Sequence, residues 1–221
     1  MAFWVRAIKG FRSSYLTKIS RRSALGFASL VLIVAAAVVI YSPTTIIPPR
    51  QLEESLVVYV VDHGFHSRLV LPDGQGRFVQ YTYGDWQYFA LQHQTAIAAV
   101  EALLWPTPGT LGRRYFESFL ELDQAVDRVD QQRLLAVAVD KARADGLRSH
   151  LDTWFADHLD TEVVHPSSGL HFVRVDQRYT VIHNSNHELV DWLRALGCQV
   201  KGFVAWPNFQ VQPLALAQGS I

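Results

Sequence analysis

Cysteine is nearly absent: Cys198 is the one thiol in 221 residues. No disulfide framework can form within the chain, so the fold must rest on its apolar core. No cysteine lies beside the N-terminal apolar run either, which excludes a lipid-modified bacterial lipoprotein. An excess of charge is also missing, with 20 basic and 20 acidic residues. That balance hides an asymmetry. Arg6, Lys9, Arg12, Lys18, Arg21 and Arg22 precede the apolar run with no acidic residue among them, so the remainder of the chain is mildly acidic. A mildly acidic domain gives no support to nucleic-acid binding. Internal repeats, low-complexity tracts and a His-Glu-x-x-His helix are absent as well.

The basic leader, 1–22, runs into Ser23–Tyr41, which carries no charge. About 20 apolar residues are needed to cross the hydrocarbon core, and this run just reaches that length. Positive charge before it and Glu53–Glu54 after it predict a cytoplasmic N-terminus and an exported remainder. The alternative is a cleaved signal peptide, but the leader is long for one and Ala35–Ala37 lie inside the apolar run. The expectation is therefore a single-pass protein of a bacterial inner membrane. A transmembrane anchor at 23–41 and a proline-stiffened stalk at 42–52 would hold one periplasmic domain at 53–221. About 170 residues suffice for one well-buried domain.

Within the domain, Leu56–Val61 reads as a buried strand, Ser67–Leu71 as a second stopped by Pro72-Asp-Gly, and Phe78–Tyr83 as a third. Helices are predicted over Thr95–Leu104, over Asp130–Ala144 ending at Gly146, and around Leu151–His158. Gly169–Val175 and Tyr179–His183 read as a hairpin about Asp176–Arg178. A final helix from His187 to Leu196 would be capped by Asn186 or Ser185 and closed by Gly197. Strands and helices mix without alternating, which points to an α+β fold.

Two stretches carry candidate chemistry: His63-Gly-Phe-His66 between two strands, and His183-Asn-Ser-Asn-His187 where a strand meets a helix. A nucleophile at a helix N-terminus gains from free backbone N–H groups and the positive end of the dipole. The same N–H groups can stabilise an oxyanion. Ser185 with His66 as general base and Asp85 orienting the imidazole is the resulting candidate set.

The segments His63–Pro72, Tyr83–Phe89, Leu103–Pro108 and His183–Asn186 together resemble a bacterial family, domain of unknown function family 2459, noted beside urease genes. More distantly, the order of histidine strand first and nucleophile helix last is similar to circularly permuted NlpC/P60 hydrolases. That resemblance implies a papain-like antiparallel sheet with packed helices, and amide or ester hydrolysis or acyl transfer on an envelope peptide, glycan or lipid. It places Ser185 at the family's cysteine position and His66 at the base position, with His63, Trp86, Asn184, Asn186 and His187 around the cleft. No metal and no cofactor are expected. Two departures matter. Serine needs tighter base alignment than a preformed thiolate, and His187-Glu188 replaces the family's Thr-Trp. Ser185 is thus either a working substitute or the mark of a lapsed enzyme that binds without catalysis.

Three rival readings concern other residues. His63, His66 and Asp85 with His183 or His187 offer imidazole and carboxylate ligands of the kind zinc takes. Cys198 follows Gly197 at the unfavourable end of the last helix and reads as a small buried side chain. Trp86, Tyr88, Phe89 and Trp105 read either as a groove for a lipid or glycan or as packing, and Arg113-Arg114 as an anion site or a solvated pair.

Overall fold

The computed structural model describes residues 26–34, 37–38, 41–62, 66–93, 95, 105–127, 133–166, 168–204 and 208–213. Two compact units divide the chain, Met1–Ser42 and Pro43–Ile221. In the first, residues 26–34, 37–38 and 41 are helical. Among the described residues no helix is long and apolar enough to cross a membrane. This overturns the predicted Ser23–Tyr41 transmembrane helix, and with it the single-pass topology and periplasmic placement built upon it. The leader 1–22 and residues 23–25, 35–36 and 39–40 of the run lie outside the described residues.

The second unit is α+β. Strands β2 (Ser55–Asp62), β3 (Ser67–Pro72), β4 (Phe78–Asp85), β5 (Thr107–Phe116), β6 (Arg133–Asp140), β7 (Val163–His165) and β8 (Leu170–Tyr179) form one seven-stranded sheet, ordered β6-β2-β3-β4-β5-β8-β7. Every neighbouring pair in it is antiparallel. Its helices are α1 (Phe119–Asp127), α2 (Lys141–Ala156) and α3 (Ser185–Ala195), and a short π-helix spans Trp86–Ala90. A smaller sheet sets β1 (Thr44–Ile47) between β9 (Gln199–Lys201) and β10 (Phe209–Val211).

Side chains alternate across the large sheet, and both faces are covered. Val58, Val60, Leu69, Leu71, Tyr81, Tyr83, Leu111, Val137 and Val173 point to one face, the α3 face. There they pack with Leu147, Leu151 and Phe155 of α2 and Leu189 and Leu193 of α3. On the opposite face, the α1 face, Val61, Val70 and Phe116 pack with Leu122 and Val126 of α1. Further along that face, Trp86 and Ala90 of the π-helix meet Leu170 and Phe172.

Two-sided burial explains the main departures from the sequence reading. Residues 133–140 form β6 instead of the first part of a helix. Leu134 packs on the α1 face while Val137 and Val139 pack on the α3 face, so the apolar run is continuous and imitates a helical stripe. The helix begins at Lys141, where the Asp140 carboxylate caps it by accepting from the Ala142 N–H, and Gly146 lies within it. The expected stalk contains β1, whose Thr44 and Ile46 are fully buried. β8 continues through Asp176–Arg178, where it bulges against β5, and the turn comes at Thr180–His183, closed by reciprocal backbone bonds between those two residues. β5 includes the Thr107-Pro-Gly stretch, with a register shift between Pro108 and Gly109, the kind of irregularity at which a sheet accepts proline. Residues 96–104 of the Thr95–Leu104 helix lie outside the described residues.

Candidate functional site

The turn at Thr180–His183 delivers the chain directly into α3. Helix α3 starts at Ser185, two residues before the predicted start, and its cap is Asn184. Asn184 Oδ1 accepts from the Asn186 N–H at 3.0 Å and the His187 N–H at 3.3 Å. It also accepts from His187 Nδ1 at 2.9 Å, which fixes the proton of neutral His187 on Nδ1 because that oxygen can only accept. The cap therefore takes the amides of Asn186 and His187, two of the helix N-terminal N–H groups that could otherwise face an oxyanion. At the far end, Gly197 adopts φ +87, the left-handed conformation that terminates a helix. Asn184→Ala is expected to cost about 1 kcal/mol in a denaturant titration, and Asn184→Asp far less.

Ser185 is the first residue of α3 and is buried. No hydrogen bond to its hydroxyl is present among the described residues. Beside it lies a compact polar cluster on the α3 face. His183 Nε2 stands 3.0 Å from Glu188 Oε2. Gln177 Nε2 donates to Glu188 Oε2 at 2.9 Å and is also hydrogen-bonded to His183 Nε2. One proton resolves this triangle, held either between Glu188 and His183 or on Glu188 alone. Burial pushes the Glu188 carboxyl above its ordinary range, opposed by the His183 charge and the Gln177 bond. His187 is held below the usual imidazole value, first by burial and then by the charge of His183. The Tyr83 ring meets His183 edge-on, with centroids 5.6 Å apart. Tyr179 is pushed up to about 12 by burial, then by Asp85 and Tyr88.

His66 sits elsewhere. Its Nε2 is hydrogen-bonded to the Thr82 hydroxyl, and its ring stacks on Phe89 with centroids 4.7 Å apart. Thr82 lies between Tyr81 and Tyr83, both of which point to the α3 face, so Thr82 points to the other. A Cβ placed on Gly112 would meet Thr82 Cγ2 and the Phe172 ring together, and Phe172 packs on the α1 face. The described contacts of His66 are thus made across the sheet from α3. Asp85 is buried, and its Oδ1 accepts from the Tyr88 N–H at 2.6 Å, capping the π-helix. Its second oxygen is buried without a described partner. No described bond joins Ser185, His66 and Asp85.

The remaining candidates divide similarly. Trp86 packs on the α1 face instead of lining a groove near Ser185. Asn186 is buried at the start of α3, and His63 lies outside the described residues. Among the described residues no group of three or more His, Cys, Asp or Glu side chains is placed to hold a metal. Cys198 is buried, with its thiol pushed up to about 11 by that burial. Arg113 and Arg114 engage different partners, Asp152 and Glu121. A cavity of about 640 Å³ opens away from all the predicted site residues, among Ile47, Pro48, Arg50, Gln199 and Lys201.

Sequence reasoning missed Thr82 and Gln177, neither of which sits in a recognisable motif, and treated Glu188 only as a departure. Position in a strand was the available signal for Thr82: it alternates with two tyrosines. No family model, no curated protein and no solved structure matches this chain.

Proposed function

We propose that this chain is a non-catalytic binding or scaffold domain, in which the serine and histidine named by the resemblance serve the fold. One observation carries the reading: His66 commits Nε2 to Thr82 and its ring face to Phe89, across the sheet from the helix that begins with Ser185. A serine nucleophile needs an aligned base, because its proton leaves only during attack. The Asn184 cap supports the same reading, since it occupies two of the amides that would receive developing negative charge. So does the replacement of Thr-Trp by His187-Glu188, which fills the first turn with residues bonded to the cap and to Gln177.

A fluorophosphonate probe tests this. Wild type and Ser185→Ala should both stay unlabelled, and Ser185→Cys should react with a thiol probe no faster than an ordinary thiol at neutral pH. Labelling of wild type that disappears in Ser185→Ala would overturn the proposal.

A second reading has its own observation, the 3.0 Å contact between Glu188 and His183, which lies two residues before Ser185. Here a carboxylate orients an imidazole at the correct end of α3, and amide or ester acyl transfer would use His183 as base. Labelling lost in His183→Gln but retained in His66→Gln would establish it in place of the first.

A further inference from the structure

On the α1 face, three side chains from adjacent central strands present N–H groups to a common region. Gln80 of β4 lies directly opposite Arg114 of β5. It also lies opposite Val70 of β3, and Arg68, two residues earlier, projects from the same face. The charge of Arg114 is felt at Arg68. Gln80 is 3 % exposed, and its Nε2 is buried without a hydrogen-bond partner. The Nε of Arg68 is in the same condition. Elsewhere the fold pairs its guanidinium groups: partly buried Arg113 with Asp152 at 3.0 Å, and exposed Arg133 with buried Asp62 at 2.7 Å. No ion pair to Arg68 is present among the described residues.

We infer that Arg68, Gln80 and Arg114 form a binding site for an anionic oxygen group, a carboxylate or a phosphate. A buried charge is tolerated when it is paired and hydrogen-bonded, and a buried amide N–H₂ when it has an acceptor. Arg68 Nε and Gln80 Nε2 both lack that acceptor, on neighbouring strands of one face. Glu121 does not supply it to either: its Oε1 stands 3.8 Å from Arg114, and its other oxygen accepts from the Glu117 N–H. Burial, followed by the charge of Arg114, lowers Arg68 to about 10, the direction that a bound anion would reverse. A guanidinium fork suits two oxygens of one carboxylate or phosphate, and Gln80 adds a donor at a fixed position on the sheet. The site lies across the sheet from Ser185 and does not depend on whether that serine reacts.

The test uses the full chain, titrated with sodium phosphate and separately with sodium acetate, against sodium chloride at matched ionic strength to remove screening. The readouts are the melting temperature and the Arg68 Nε–H resonance. Either anion should raise the melting temperature above the chloride reference and shift that resonance saturably. Response to phosphate alone indicates a phosphate ester as the natural ligand, and response to acetate alone a carboxylate side chain or chain end. Gln80→Glu places a carboxylate beside Arg68 at almost unchanged shape. It should raise the melting temperature in chloride and weaken anion binding by about ten- to hundredfold. Absence of any response to both anions in wild type, or unchanged binding in a folded Gln80→Glu variant, would overturn the inference.

Discussion

Phe155→Ala will destabilise the domain by about 3–5 kcal/mol, the range found when a fully buried aromatic ring is removed from a core. Phe155 is 0 % exposed. With Ala144, Leu147 and Leu151 it makes the buried stripe of α2, at helical spacings of three and four. The ring also lies beneath a cation, with the Arg113 guanidinium carbon 4.1 Å from its centroid. Arg113 in turn donates to Asp152 Oδ1 at 3.0 Å, the same oxygen that accepts from the Tyr81 hydroxyl at 2.8 Å. Removing the ring therefore opens a void and also unsupports a partly buried charge. A melting temperature lower by roughly 10 °C is expected for a domain of this size. Phe155→Leu should recover most of it. A loss below about 1 kcal/mol for the alanine variant would mean that the site collapses freely, contrary to the packing described.

Gly109→Ala is the second large effect, and its cause is close approach instead of cavity. A Cβ at Gly109 would meet the backbone carbonyl of Gln177 and, at 2.6 Å, the Tyr83 hydroxyl. The first obstacle is backbone in the paired strand β8, at the register shift just after Pro108, and it cannot swing aside as a side chain can. Relief requires β5 and β8 to separate locally. That displaces Gln177, whose side chain holds Glu188 and His183. A loss of about 1–3 kcal/mol or more is expected from overpacking. Chemical-shift changes should extend from β5 to the first turn of α3. Gly146→Ala is the matched control, because nothing lies within 4 Å of a Cβ there and alanine favours a helix. Equal effects at the two positions would contradict the account.

These two residues mark how far the sequence could be read. The strands at Ser55–Asp62, Ser67–Pro72 and Phe78–Asp85 were visible because β-branched runs stop at turn residues. Helix α3 was visible because Gly197 ends it. What stayed hidden was sidedness. A sheet buried on one face alternates apolar and polar residues, but this one is covered on both, so Arg133–Asp140 carried a helical look until its pairing with β2 was known. The apolar run at Ser23–Tyr41 was read as a membrane span from composition, whereas among the described residues no helix is long and apolar enough to cross a membrane.

The candidate site was half legible for the same reason. The Asn184–Glu188 segment could be placed at a helix start from residue types alone, and α3 does begin there. Which histidine accompanies it could not, because the choice depends on the direction of one strand residue. Thr82 points away from α3, and His66 goes with it. His183 and Glu188, five residues apart across the helix start, became partners only because the turn at Thr180–His183 folds the imidazole back over the first turn.

The most direct test of the central claim is the ¹⁵N NMR titration of the His66 imidazole in wild type, Thr82→Val and Ser185→Ala. The account predicts that Thr82→Val changes the tautomer balance and the titration midpoint of His66, while Ser185→Ala leaves both as they are in wild type. A His66 that responds to Ser185→Ala and ignores Thr82→Val would show a serine–histidine pair on one side of the sheet, and the non-catalytic reading would be wrong.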